Sequence, residues 1–275
     1  MSVDVEDYFQ VSAFEKTIKR NDWDNWELRV ERSTHRVLDI FDEAGIKSTF
    51  FMLGWVAERC PSLIQRIVKE GHELASHGYE HVRVIHQDRA QFGADIRKTK
   101  ALLEDMSGVA ITGYRAASYS IGRDNLWALD ELHAAGHEYS SSLYPIRHDL
   151  YGMPEAPRFA FLTGENGLLE VPVTTASFGG RNFPCGGGGY FRLLPYPMYR
   201  KALQRVNAVD QQPGVFYFHP WEIDPDQPRV PGATAKTRFR HYLNLNRMEA
   251  RLKRLVRDFA WDRMDRVFAP ARKAA

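Results

Sequence analysis

Gly71-His-Glu-Leu-Ala-Ser-His-Gly-Tyr-Glu-His81 is the stretch on which the fold turns. His72 to Ser76 reads as a short strand that delivers His77 at its C-terminal end, and His81 follows four residues later. Gly78 between the two histidines argues against a smooth helix. A turn leaving the strand could still place both imidazoles on one ion. Two imidazoles and a carboxylate are a common ligand set for a catalytic divalent metal, with one position left for water. The spacing is weak evidence by itself, because a chain with ten histidines produces such a pair easily.

The same punctuation repeats on both sides. Upstream, Pro61 opens a helix with Leu63, Ile64, Ile67 and Val68 on one face, and Gly71 closes it. Before it come the strand-like run Lys47 to Leu53 and a helix over 33–44 that Ser33 or Thr34 can cap. Downstream, Asp88 to Met106 is a long helix, Gly113 to Ser118 a strand, Asn125 to Ala135 a helix and His137 to Leu143 a strand. Strands alternating with helices of this length predict a parallel sheet or barrel. Catalytic groups in such folds gather at the C-terminal ends of the strands.

Two further groups fall at such ends. The acids Asp4, Glu6 and Asp7 follow Val3, and His219 closes the apolar run Gly214-Val-Phe-Tyr-Phe-His219. Three acids so close repel one another unless a cation is present. The second half is less regular. Gly164 to Gly167 reads as a turn, Leu168 to Val173 as a strand, 197–208 as a helix and Leu243 to Trp261 as an amphipathic helix. The glycines at 186–189 lack the Lys-Ser/Thr of a phosphate loop, so a close backbone approach or a sharp bend is expected there.

Bulk properties set outer limits. The chain has 275 residues, 44% apolar and 26% charged, enough for one large α/β domain. A net charge of +2 gives no strong field for polyanions, and nucleic-acid binding is not expected. Residues 229–275 nevertheless hold 13 Lys/Arg against 4 Asp/Glu, an excess of +9. This reads as the solvated face of a terminal helix or as a surface for docking onto an anionic partner. Two cysteines, Cys60 and Cys185, make no disulfide framework. No apolar run is long enough to span a membrane. The N-terminus shows no basic stretch followed by an apolar one, so a cytoplasmic or membrane-peripheral location is expected.

Five ordered motifs carry a resemblance. They are Ser2-Val-Asp-Val-Glu-Asp-Tyr-Phe9, Ser48-Thr-Phe-Phe51, Gly71 to His81, Gly113-Tyr-Arg-Ala-Ala-Ser-Tyr-Ser-Ile-Gly122 and Phe216-Tyr-Phe-His-Pro-Trp-Glu222. Together they resemble the polysaccharide deacetylases with a NodB homology domain (carbohydrate esterase family 4), and within these the branch found with exosortase-linked exopolysaccharide loci. The resemblance implies a distorted (β/α) barrel, often seven-stranded, as a single domain over 1–275. Residues 229–275 would be a C-terminal helical extension ending in the amphipathic helix. It also implies one divalent ion, expected to be Zn²⁺, and hydrolysis of N-acetyl groups on an amino-sugar polymer with release of acetate. The expected partners are the N-acetylated polysaccharide and, peripherally, membrane-bound polysaccharide synthesis machinery.

Carried over residue by residue, Asp4 matches the catalytic base, Arg115 the arginine that orients it and His219 the general acid. His77 and His81 match the metal histidines. For the metal carboxylate, Asp7 keeps the residue type and Glu6 the two-apart spacing; Asp7 is taken as the ligand. Tyr119 and Trp221 resemble substrate-pocket residues. Trp23 and Trp26, in a polar segment, are expected to be exposed by a turn and to flank a glycan groove. Two departures stand out. The family's Arg-x-Pro reads Arg115-Ala116-Ala117, and the Asp that helps to orient the acid histidine in some relatives is Ser140. Asp149, Glu222 or Asp224 could replace it. Competing readings are an allantoinase-like hydrolase of a small cyclic amide and a non-catalytic glycan-binding protein on the same fold.

Overall fold

Short apolar runs that alternate with helices produce the expected curled sheet in a computed structural model that describes residues 1–164 and 167–273. Two residues of the expected turn, Glu165 and Asn166, lie outside that description. The strands are β1 (Ser2–Val5), β2 (Thr49–Met52), β3 (Glu73–Ser76), β4 (Gly113–Tyr114), β5 (Tyr139–Ser140), β6 (Phe161–Thr163), β7 (Leu168–Glu170), β8 (Thr175–Phe178), β9 (Arg181–Pro184) and β10 (Tyr217–Phe218). They form a sheet in the order β10-β1-β2-β3-β4-β5-β7-β6, with β8 and β9 apart as a hairpin. Every pairing in the sheet is parallel except β6 on β7. Seven parallel strands thus make the barrel wall. Each residue of β1, β2 and β3 is buried, as parallel strands covered on both faces require.

Irregular backbone closes the ring between β7 and β10. Val173 N donates to Leu143 O, Cys185 N to Thr174 O and Tyr217 N to Gly186 O. The glycine run serves this closure. A Cβ on Gly186 would lie 2.7 Å from both Val173 Cγ1 and Val215 O, and one on Gly188 would lie 2.3 Å from Glu222 Oε1. The expected close approach is therefore to the protein's own backbone and to an acid beside the candidate site.

The helices follow their sequence signals, with informative exceptions. Helix Arg89–Ser107 begins with a capping box between Asp88 and Gln91 and ends on left-handed Gly108. Helix Val30–Glu43 starts three residues before its expected position. Its cap is remote in sequence: Asp7 Oδ2 accepts from Arg29 N (2.6 Å) and Val30 N (2.7 Å). A local reading of Ser33 and Thr34 could not find that cap. Trp23, expected on an exposed turn, is buried against Phe9 and Trp55, and Trp26 packs on Tyr8 and Phe9.

The basic terminal segment holds three helices, Ala235–Tyr242, Leu245–Asp258 and Met264–Lys273, where one was expected. The middle helix buries Leu245, Met248, Leu252 and Leu255, as its apolar stripe predicts. The last helix begins at the N-terminal ends of β2 and β3, where Met264 N donates to Thr49 Oγ1 and Asp265 N to Glu73 Oε2. One hydrophobic cluster joins Val3, Phe50 and Leu74 to Phe216, Met248 and Leu252, so early strands and late helices share a core.

Gly186→Ala should cost about 1–3 kcal/mol by overpacking. Gly189→Ala, with open space around the added methyl, should change stability by less than about 0.5 kcal/mol. Urea denaturation of the two variants checks the contrast.

Candidate metal centre and active site

Strand ends bring the chemistry together. In register, Asp4 pairs with Phe51, Phe51 with Ala75, and Ser76 with Tyr114, so β1, β3 and β4 end at one level of the barrel. From these ends project Asp4 and Glu6, then His77 and His81, then Arg115. After β3 the chain turns through left-handed Gly78 and left-handed His81, which swings the second imidazole back beside the first. The ring centroids are 5.2 Å apart.

Glu6, His77 and His81 are buried, and each offers a ligand atom within 4.8 Å of the others. His77 Nδ1 lies 2.8 Å from Arg115 O, which leaves Nε2 for the shared point. His81 Nε2 lies 3.0 Å from Glu6 Oε2. Yet Glu6 Oε2, fully buried, has no hydrogen bond of acceptable geometry among the described residues. Ligand atoms that face a common point rather than one another are what a cation requires. Burial pushes the Glu6 carboxyl up, but His81 and His219 outweigh it and hold it at about 2. Burial also pulls His77 down to about 4, which favours the neutral imidazole that a metal needs.

The carboxylate that faces the two histidines is Glu6, where Asp7 was expected. Asp7 points the other way. Its Oδ1 accepts from Tyr8 N (2.8 Å) and its Oδ2 caps helix Val30–Glu43. Three backbone donors occupy it, while burial pushes its carboxyl up to about 6. The alternation of a strand end explains the swap. Side chains two apart share a face, so Glu6 follows Asp4 into the barrel mouth and Asp7 leaves it.

Around this triad stand two charged pairs. Arg115, completely buried, donates from Nη1 to Asp4 Oδ1 (2.6 Å) and Ser2 Oγ (2.9 Å), and from Nε and Nη2 to Ser141. Asp4 Oδ2 is left facing His219 Nε2 at 4.0 Å. On the other side, Glu222 Oε1 lies 2.9 Å from His219 Nδ1 and accepts from His219 N (3.0 Å). Glu222 Oε2 accepts from Arg192 Nε at 2.6 Å, and Arg192 in turn donates to the carbonyls of Arg240, His241 and Leu243. Burial lowers His219, but Glu6, Glu222 and Asp4 together raise it to about 9.

Of the three acids that could replace the missing partner at Ser140, the structure selects Glu222. Asp149 is paired with Lys236 and Arg240, and Asp224 with Arg29 and Arg32. Arg192 was not foreseen; its only sequence signal is a cation next to an apolar, glycine-rich run. Tyr119 and Trp221 both line the cavity over the triad, about 190 Å³ in volume. Trp221 stacks between His219 (5.1 Å) and His241 (4.1 Å), with its Nε1 3.5 Å from Glu6 Oε1. Consecutive left-handed residues, Ser118 and Tyr119, fold the Tyr119 ring to 5.6 Å from the Arg115 guanidinium. Such strain is typical of a ligand site.

Comparison with known proteins divides the chain. Residues 22–139 match the family described as polysaccharide deacetylase, and residues 141–269 match a domain of unknown function (DUF3473). A peptidoglycan-N-acetylglucosamine deacetylase of Bacillus cereus is 31% identical over 99 residues, which is 36% of this chain and 36% of the relative. The Listeria monocytogenes enzyme PgdA, of the same description, is 33% identical over 82 residues, 30% of this chain and 18% of the relative. The chain thus matches only about a third or less of the length of these relatives. Among solved structures, a Mycobacterium smegmatis protein designated a polysaccharide deacetylase aligns over 100% of this chain and 89% of its own, with a TM-score of 0.62 and 20% identity. The PuuE allantoinase aligns with a TM-score of 0.54 and 15% identity, over 86% of this chain and 70% of its own. These likenesses show the (β/α) barrel fold.

Glu6→Ala should lower zinc affinity by about 100-fold or more, since it removes a direct ligand. Asp7→Ala should keep the metal but lose about 2–4 kcal/mol, because it strands buried N–H groups. Elemental analysis after dialysis, with urea denaturation of each metal-free variant, checks both; metal kept by the first and lost by the second contradicts the assignment.

Proposed function

We propose that this chain, whose residues 22–139 match the polysaccharide deacetylase family, is a metal-dependent hydrolase that removes N-acetyl groups from an amino-sugar polysaccharide and releases acetate. The observation that carries the reading is the facing of Asp4 and His219 across the mouth of a buried Glu6–His77–His81 triad. A proton acceptor and a proton donor on either side of a cation site suit hydrolysis of an amide. The named relatives act on peptidoglycan N-acetylglucosamine, which supports an N-acetylated amino sugar as the reacting unit.

Glu6, His77 and His81 would hold the ion, and two imidazoles with one carboxylate suit Zn²⁺. When bound, such an ion polarises an acyl oxygen and makes water more acidic. The residues around it do the rest. Arg115 ties down Asp4 Oδ1, leaving Oδ2 to accept the proton of the attacking water. As the water oxygen bonds to the acyl carbon, the C–N bond breaks and its electron pair stays on nitrogen. His219 delivers a proton there from Nε2, because its Nδ1 is committed to Glu222. Burial disfavours the charged imidazole, but Glu6, Glu222 and Asp4 outweigh it and keep His219 charged at neutral pH, ready to act as the acid. Tyr119 and Trp221 wall the cavity, which limits the water that can compete with the acetamido group.

We read the polymer as an exopolysaccharide and the protein as acting beside the machinery that makes it. The motif resemblance supports the first part. The +9 excess over residues 229–275 supports a peripheral position at an anionic surface.

Asp4→Asn should cut acetate release from N-acetylglucosamine oligomers by about 100-fold or more while metal content is unchanged. Release within threefold of wild type removes Asp4 from the role of base. Chelation of the wild-type protein should abolish release, and added Zn²⁺ should restore it; release that survives chelation contradicts metal dependence.

A further inference from the structure

The turn that carries His77 and His81 is held from two sides, and only one of them belongs to the sheet. All four carbonyls from Gly78 to His81 accept hydrogen bonds. Gly78 O accepts from Gly54 N and Tyr79 O from Trp55 N, each at 3.0 Å, so the chain leaving β2 fixes the first half of the turn. Glu80 O accepts from Arg20 Nε at 2.8 Å and His81 O from Arg20 Nη2 at 3.2 Å, so one guanidinium fixes the second half. Donation to two successive carbonyls suits arginine, whose N–H groups are set in a rigid plane.

The two histidines therefore differ in how they are oriented. His77 is locked through its ring, because Nδ1 lies 2.8 Å from Arg115 O. His81 is held through its backbone. Its φ of +52° is left-handed, a conformation that a residue with a Cβ keeps only where its surroundings impose it. Arg20 is itself braced. Its Nη2 lies 3.3 Å from Glu15 Oε1, and Glu15 Oε2 accepts from Arg83 Nη2 at 3.0 Å. Arg83 stands two residues beyond His81, so Arg20, Glu15 and Arg83 bracket the end of the turn. The segment that carries Glu15 and Arg20 is anchored by buried Phe14, Ile18 and Trp23, with the Phe14 ring 4.7 Å from that of His241. Arg20 is 60 and 61 residues from its two acceptors and precedes the stretch that matches the deacetylase family.

We propose that Arg20 is a positioning residue of the candidate metal centre: its fork onto Glu80 O and His81 O keeps the second imidazole aimed at the point it shares with Glu6 and His77 before an ion arrives. Arg20 acts through the backbone of His81 and donates to neither the ligand atoms nor the catalytic pair. Without the fork, His81 relaxes from its left-handed conformation, and zinc binding then has to reorder it, which weakens affinity. The proposal rests on the reading of Glu6, His77 and His81 as the metal ligands.

Zinc titration in competition with a chromophoric chelator gives the affinity and the stoichiometry separately. A folding defect lowers the fraction of protein that binds; loss of positioning lowers the affinity of protein that remains folded. Arg20→Ala should bind Zn²⁺ about 30-fold more weakly than wild type at unchanged stoichiometry, the scale expected when a group behind a ligand is lost. Arg20→Lys keeps a cationic donor without the fork and should be about fivefold weaker than wild type. Arg36→Ala removes a guanidinium paired with Glu249, between helices Val30–Glu43 and Leu245–Asp258, and should bind as wild type does. Affinity within threefold of wild type in Arg20→Ala, a lowered stoichiometry with unchanged affinity, or Arg20→Lys no tighter than Arg20→Ala would overturn the positioning role. Zinc affinity lost in Glu6→Ala but kept in Arg20→Ala removes that role alone. A wild-type protein that binds no zinc removes the metal-centre reading and the proposal with it.

Discussion

A guanidinium buried to 0% exposure must have its charge and all its donors met inside the fold, and Arg115 meets that demand through Asp4, Ser2 and Ser141, with Met264 Sδ 3.8 Å away. Its ring-facing side lies over Phe51 at 4.0 Å, and its own carbonyl faces His77. One residue therefore ties β1 to the backbone after β5, to the first residue of the last helix and to a histidine of the candidate metal centre. An unpaired charge at this depth would cost about 3–5 kcal/mol, so Asp4 stabilises the barrel as well as facing the candidate site.

The second dyad shows how the two matched segments depend on each other. His219 and Glu222 belong to the later segment, yet His219 sits against Asp4 of β1 and Glu6 just beyond it, both ahead of residue 22. Arg192 fixes Glu222 from behind and anchors to the carbonyls of Arg240, His241 and Leu243. The later helices thus reach His219 through three hydrogen-bonded steps. Gly188 must lack a side chain for Glu222 to occupy its place. A segment of no assigned function thereby supplies one half of the proposed proton-transfer pair and one wall of the cavity.

Much of this was legible in the sequence because the fold writes its signals locally. The strand and helix alternation up to β5 shows through apolar runs, Pro61 and Gly71, and Asp4, His77, Arg115 and His219 lie at strand ends as expected. What could not be read depends on contacts remote in sequence. Asp7 was taken for a ligand because residue type outweighed the two-residue period that sends Glu6 inward. Its actual partners, Arg29 and Val30, are set by the tertiary fold. Trp23 looked exposed amid polar neighbours, but Phe9 and Trp55 cover it. The hairpin of β8 and β9 and the short helix Gly188–Leu193 carry no strong periodicity, so the closure of the ring was invisible.

Zinc-edge anomalous diffraction from crystals grown with Zn²⁺ tests the centre of the proposal most directly. A single peak about 2.0–2.2 Å from a Glu6 carboxylate oxygen, His77 Nε2 and His81 Nε2, with Asp7 still capping helix Val30–Glu43, is the expected result. A peak bound by Asp7, or a fully substituted crystal with no peak between the two histidines, would contradict it.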